Sequence, residues 1–303
     1  MRLRTRLWLR ARLWLFRILG AVLEHLPERV DVSIGEAVAG TIGRLPWWRT
    51  TPLASNLERV LAGGTGEPVD RRVLSRYLAR ALRSYGRYWA EGAKLPAMDP
   101  GAVAQRFRIV EGEAYLRDGV AGGRGVILAL AHMGSWEWGG TFLADVGWPL
   151  TAVAEILEPP ELFEWFAAKR ERMGLGIIPL DDAAPGAIAR VLRAGGVVGL
   201  LCDRDLQGNG IDVELFGAKT TAPVGPALLA LRTGAVLVCV AVYSGPARDH
   251  HAVITRPIDT TRHGALRADV ARVTQAVMDE LGWLIRRAPE QWHVLQANWP
   301  APP

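Results

Sequence analysis

The chain has 303 residues, half of them hydrophobic, with 36 basic against 31 acidic side chains and a formal net charge of +5. That is ample for one large α/β core or two small ones, and it excludes a disordered or fibrous chain. The charge excess is too small for a strong nucleic-acid footprint, and no zinc-finger spacing or other nucleic-acid motif accompanies it.

Residues 2–26 fit a helix in which Arg6, Arg10, Arg17 and Glu24 share one narrow stripe and Trp8, Trp14, Leu15, Ile18, Leu19, Val22 and Leu23 spread over the opposite face. Two readings fit that pattern: an interfacial helix lying on anionic lipid, or an amphipathic helix packed on its own domain. Arg2, Arg4 and Arg6 ahead of apolar residues resemble the start of a signal peptide. Arg10, Arg12 and Arg17 interrupt any apolar core of one and no cleavage site follows, so the segment is expected to be retained. A second helix over 69–93 carries Arg72, Arg76, Arg80, Arg83 and Arg87 on one face, with Leu74, Tyr77, Leu78, Ala81, Tyr85, Tyr88 and Trp89 on the other. Two arginine-striped helices favour an anionic surface as partner. No uninterrupted apolar run approaches the ~20 residues of a spanning helix.

After Pro96 the texture changes. Strands are expected at Arg106–Val110, Val126–Leu130, Leu150–Ala154, Gly176–Leu180, Val197–Cys202, Val236–Val242 and His251–Thr255, with helices at 135–146, 159–173, 185–194, 223–233 and 266–287. Short apolar strands interleaved with helices predict an α/β fold with a mainly parallel central sheet covered by helices. The chain is divided into an N-terminal helical, membrane-proximal region (1–95) and an α/β core (96–303), docked into one unit. Cys202 and Cys239, the only cysteines, fall in apolar runs without metal-ligand spacing and are expected to be buried thiols in a reducing compartment.

Chemistry is expected where these strands end. His132 follows the apolar run Val126–Leu130, and Glu137 stands five positions on, beyond a Gly134-Ser135 turn that opens a helix. In open α/β sheets ligands bind beyond the carboxyl ends of strands, where helix N-termini offer free N–H groups. His132 can act as a general base oriented by Glu137, while N–H groups around Gly134 and Ser135 can stabilise an oxyanion. Ser135 lacks the Gly-x-Ser-x-Gly elbow of a nucleophile, so the attacking group is expected to belong to a substrate. Asp203-Arg204-Asp205 follows the strand Val197–Cys202 and should face the same crevice. Its charges suit a hydroxyl-rich or phosphate-bearing ligand, and a local ion pair in a turn is the alternative. Residues 210–226 read as a loop in which Thr220 or Thr221 caps a helix beginning near Pro223. His25, His250, His251, His263 and His293 are expected to be structural or solvated, without metal-ligand spacing.

Taken together, His132-x4-Glu137, Asp203-Arg204-Asp205, Glu214-Leu215-Phe216-Gly217 with Pro223-Val224-Gly225-Pro226, and the closing Pro289-Glu290-Gln291-Trp292 resemble the lysophospholipid acyltransferase superfamily. Within it the chain is most similar to the branch of lipid A late acyltransferases and phosphatidylinositol mannoside acyltransferases, and the likeness runs over roughly residues 1–300. The mannoside members are favoured by Asp-Arg-Asp and by the segments Ala154-Glu155-Ile156-Leu157 and Ala168-Lys169-Arg170, in which Glu155 and Arg170 match active-site positions. The superfamily more often has aspartate at the position of Glu137.

What the resemblance implies is transfer of a fatty acyl group from acyl-CoA, a co-substrate with no further cofactor and no metal, to a mannose hydroxyl of a phosphatidylinositol mannoside. It implies catalysis by His132 and Glu137 and substrate positioning by Gly134, Ser135, Glu155, Arg170, Asp203, Arg204 and Asp205. The expected setting is an anionic membrane surface, peripherally, on the cytoplasmic face of the cell membrane. Lipid A-type acyl transfer, a hydrolase and a non-catalytic membrane-surface binding protein remain alternatives.

Overall fold

The computed structural model describes residues 3–42, 45, 47, 48, 51–65 and 67–299. Arg2 lies outside the described residues, and of Arg4 and Arg6 only the helical backbone is described. Four helices come first: α1 (Leu3–His25), α2 (Glu28–Ile42), α3 (Pro52–Ala62) and α4 (Arg71–Lys94). The α/β part runs α5 (Pro100–Arg106), β1 (Phe107–Glu111), α6 (Glu113–Ala121), β2 (Val126–Leu130), α7 (Trp136–Asp145), β3 (Leu150–Ala154), α8 (Pro160–Arg172), β4 (Gly176–Pro179), α9 (Ala184–Arg193) and β5 (Val197–Leu201). It continues with β6 (Ile211–Leu215), β7 (Ala218–Ala222), α10 (Gly225–Thr233), β8 (Val236–Ser244), β9 (His250–Ile254) and α11 (Leu266–Arg287).

Seven strands form one sheet in the order β1-β9-β8-β2-β5-β3-β4. The five from β8 to β4 are parallel, whereas β9 runs antiparallel to β8 and carries β1 beside it. β2 is buried along its whole length, and successive side chains serve opposite layers, the period-2 alternation of a strand covered on both faces. Ile127 and Ala129 join the layer under α9, α10 and α11, while Val126, Leu128 and Leu130 pack with Trp136, Trp138 and Leu143 of α7. Leu130 pairs with Leu201, so β2 and β5 end side by side. Cys202 and Cys239 are buried free thiols, driven above their ordinary range by burial.

Among the elements, residues 210–226 depart from expectation. The stretch read as a loop and cap is a β-hairpin, β6 pairing antiparallel with β7. Val213 and Leu215 point inward while Asp212 and Glu214 are exposed, a short alternation hidden by an atypical turn. Phe216 and Gly217 both take positive φ (51° and 71°), as a two-residue hairpin turn requires. Phenylalanine is tolerated there because its ring packs against Trp292 and Trp299. Thr220 and Thr221 therefore lie in β7, and α10 starts at Gly225 without a side-chain cap.

The helical region is docked on the core. Gly35 of α2 and Gly86 of α4 cross so closely that a Cβ on Gly86 would lie 2.4 Å from the Gly35 carbonyl oxygen. Fully buried Asp31 binds Lys94 (2.9 Å) and Arg248 (2.8 Å), joining α2, α4 and the β8–β9 connection. The arginines of α4 do not all serve a surface: Arg87 is half-buried, bound to Glu91 (2.7 Å) and to the Gly245 carbonyl. Nor is the whole of α1 packed inward. Leu9 and Leu13 are buried, yet Trp8, Trp14, Leu15, Ile18, Leu19 and Val22 are exposed. Val30, Ile34, Val38 and Ile42 make a second exposed apolar stripe, on α2. No helix among the described residues is long and apolar enough to cross a membrane.

Candidate active site

The turn after β2 is shaped by one glycine. Gly134 has φ +55°, and a Cβ there would lie 1.8 Å from the carbonyl oxygen of Val242, so only glycine lets the chain pass this close to β8. Residues 291–293 lie antiparallel against the turn: the Gly134 N–H donates to the Gln291 carbonyl (2.9 Å), Met133 bridges Trp292, and the His293 N–H donates to the His132 carbonyl (2.7 Å). The Gln291 side chain bonds both the N–H (2.8 Å) and the carbonyl (3.0 Å) of Ser244, fixing this strap to the end of β8. The Gly134 N–H is therefore occupied and is no oxyanion donor. Ser135 is buried at the N-cap of α7, its hydroxyl capping nothing.

His132 and Asp203 meet where β2 and β5 end. The Nδ1–H of His132 donates to Asp203 Oδ1 (2.6 Å), the His132 backbone N–H donates to Oδ2 (3.0 Å), and the Trp292 indole N–H donates to the same Oδ2 (2.7 Å). Asp203 has no exposed surface. Burial pushes its carboxyl up, but the nearby His132 charge and the hydrogen bonds from His132 and Trp292 outweigh that and hold it below the usual range. An ionised Asp203 is acceptor-only, so the neutral imidazole carries its proton on Nδ1 and presents the Nε2 lone pair. No hydrogen bond to Nε2 occurs among the described residues, and the side chain is 22% exposed. That nitrogen can take a proton from a bound substrate.

Glu137 does not orient His132. Five residues and the Gly134 turn carry it into the first turn of α7, where it faces α4 and α8. Its Oε1 accepts from the Tyr88 hydroxyl (3.0 Å) and from Arg170 Nη2 (3.2 Å). Burial and then the adjacent Glu137 charge push the Tyr88 hydroxyl well above its ordinary range. Burial opposes the charge of Arg170, but Glu137 and Tyr88 reverse that and keep the guanidinium charged, 5.0 Å over the Trp136 ring.

The acidic-basic cluster also divides. Only Asp203 turns toward His132. Asp205 accepts from the N–H groups of Gly208 (2.9 Å) and Gly210 (2.8 Å), building the loop into β6. Arg204 donates to the Gln296 side chain. Glu155 is exposed just past the end of β3, two strands from β2, with no hydrogen bond or ion pair to the other site residues. No group of three or more His, Cys, Asp or Glu side chains placed to hold a metal occurs among the described residues.

Sequence reasoning passed over several participants. In the sequence Trp292 stands out only as part of a closing motif, and Tyr88 falls on the apolar face of its helix. His293 is half-buried, bonded to Ser84 Oγ (2.9 Å). Burial and neighbouring His132 push its imidazole down to about 3. His250, expected to be structural or solvated, is structural: it is the first residue of β9, 1% exposed, stacked on Trp138 (4.2 Å) and 3.3 Å from Glu91.

Residues 2–300 match the model of the bacterial lipid A biosynthesis acyltransferase family. The chain is 36% identical over 251 residues to a phosphatidylinositol mannoside acyltransferase of Mycobacterium tuberculosis (strain CDC 1551 / Oshkosh), covering 82% of this chain and 76% of that protein. It is 35% identical over 246 residues to the protein of the same name from Mycolicibacterium smegmatis (strain ATCC 700084 / mc(2)155), covering 80% and 78%. A strand-end histidine with a buried carboxylate behind it, no serine elbow beside it, and these matches along nearly the whole length lead to one conclusion: the chain belongs to the bacterial lipid A biosynthesis acyltransferase family.

Proposed function

We propose that this acyltransferase moves a fatty acyl chain from acyl-CoA to a mannose hydroxyl of a phosphatidylinositol mannoside, at the cytoplasmic face of the cell membrane. The observation that carries the reading is the His132–Asp203 dyad, with Nε2 open and no enzyme nucleophile at hand, in a chain similar to phosphatidylinositol mannoside acyltransferases. His132 Nε2 removes the proton of the hydroxyl as its oxygen attacks the thioester carbonyl carbon, and the tetrahedral intermediate collapses with loss of the thiolate. The proton on Nε2 then passes to that thiolate, giving an ester, a free thiol and the starting dyad. A thiolate leaves readily because thiols are far more acidic than alcohols. Buried Asp203 offsets the imidazolium charge that forms between the two steps.

Arg170 is assigned to a phosphate of donor or acceptor, and exposed Glu155 to a sugar hydroxyl. The acyl tail is assigned to the apolar space between α7 and the sheet, walled by Trp136, Gly139, Gly140, Leu143 and Leu150. Its cavity is only about 30 Å³, so α7 or its neighbours must yield as the chain enters; each methylene buried contributes about 0.8 kcal/mol toward that. Docking on anionic lipid is assigned to the exposed apolar stripes of α1 and α2, with Arg10 beside the first.

Incubating the protein with palmitoyl-CoA and mannosylated, glucosamine or glycerol-phosphate lipids, and reading products by mass, tests this. The expected result is an added palmitoyl group on the mannosylated lipid alone. Acylation of the glucosamine lipid instead, hydrolysis without acylation, or vesicle binding without transfer would overturn it.

A further inference from the structure

We propose that Trp292 is a positioning residue of the site, its indole N–H fixing the rotation of the Asp203 carboxylate and through it the aim of His132. The inference rests on the base role proposed for His132. A carboxylate turns easily about its terminal torsion. The other two donors to Asp203, the ring Nδ1–H and the backbone N–H, both belong to His132, the residue being aimed. Trp292 supplies the outside reference, 2.7 Å from Oδ2. Indole can only donate, so the polarity of this contact is fixed.

The reference is itself anchored. Trp292 is 1% exposed, with Phe216 and Trp299 edge-on to its ring at 6.2 Å each. On one side the strap is tied to the His132 turn and to β8. On the other, Asn56 of α3 donates to the carbonyls of Val294 (3.0 Å) and Gln296 (2.8 Å), and Asn298 Nδ2 donates to the Asp203 carbonyl (3.2 Å). The strap thus addresses both partners of the dyad at once. Filling an apolar site would need only an aromatic ring; the directed N–H is what a packing role leaves unexplained.

The test removes that N–H and keeps the ring. Benzothienylalanine at position 292, with sulfur in place of the indole nitrogen, and Trp292→Phe are compared with wild type in two measurements: the downfield His132 Nδ1–H proton resonance, and kcat and KM for transfer from palmitoyl-CoA to mannosylated phosphatidylinositol. The resonance should move upfield or broaden in both variants. Loss of one hydrogen bond to a charged group should lower kcat by about tenfold to a hundredfold, and KM should stay within about twofold. A wild-type resonance and wild-type kcat in the benzothienyl protein would overturn the proposal, whatever Trp292→Phe does to folding. The resonance is read without substrate, so absence of transfer by the wild-type protein would sink the proposed function and leave the resonance to decide the role of Trp292.

Discussion

At Asp203 two opposing effects can be ranked. Complete burial disfavours the carboxylate, yet three donors and a neighbouring imidazole hold it ionised. His293, two peptide bonds from the Gln291 carbonyl that holds Gly134, is the reverse case, a half-buried imidazole whose desolvation and neighbouring His132 keep it neutral down to about pH 3. In the unfolded chain that ring takes up its proton near 6.5, so between roughly 6.5 and 3 the unfolded state binds more protons. Stability therefore falls as pH drops through that window. The contribution of Asp203 is different in range: present above its unfolded value near 3.9, it is lost only as pH falls through the lower folded value. Urea titrations of wild type and His293→Gln between pH 7.5 and 4.5 should show a flatter dependence in the variant; equal slopes would mean His293 is not held neutral. At this scale His132 and Asp203 were legible because each follows an apolar strand. Their pairing was not, since it depends on β2 and β5 being neighbours, and Glu137 stood nearer in sequence.

At the scale of elements, the apolar runs that become β2 and β3 and the long amphipathic pattern that becomes α11 were readable to the residue, because burial on both faces or on one stripe leaves little else to place. The hairpin β6–β7 was not. Its turn carries Phe216 where local chemistry would favour asparagine or glycine, and tertiary packing against Trp292, Trp299 and Arg286 explains it. The strap 291–298 has no periodicity to announce it, although it makes the contacts that set the dyad.

At the scale of the whole molecule, the N-terminal helices do two things at once. Through Asn56 and Tyr88 they reach the site, and through α1 and α2 they turn large apolar side chains outward. The pattern of α1 fits both an exposed and a packed apolar face, and the structure divides it between the two; the stripe of α2 follows a spacing that sequence alone does not mark as exposed. Burying one such side chain is worth about 1.5–3 kcal/mol, so Ile18→Glu with Ile34→Glu should weaken binding to anionic vesicles at least a hundredfold. Co-sedimentation equal to wild type would show that these stripes do not meet lipid.

The central claim is that His132, held by Asp203, is the base for acyl transfer. It is tested most directly by the turnover of folded His132→Ala with palmitoyl-CoA and mannosylated phosphatidylinositol. The account predicts a loss of about 10²–10⁴ in kcat, the scale of a positioned base. Turnover close to wild type would contradict it.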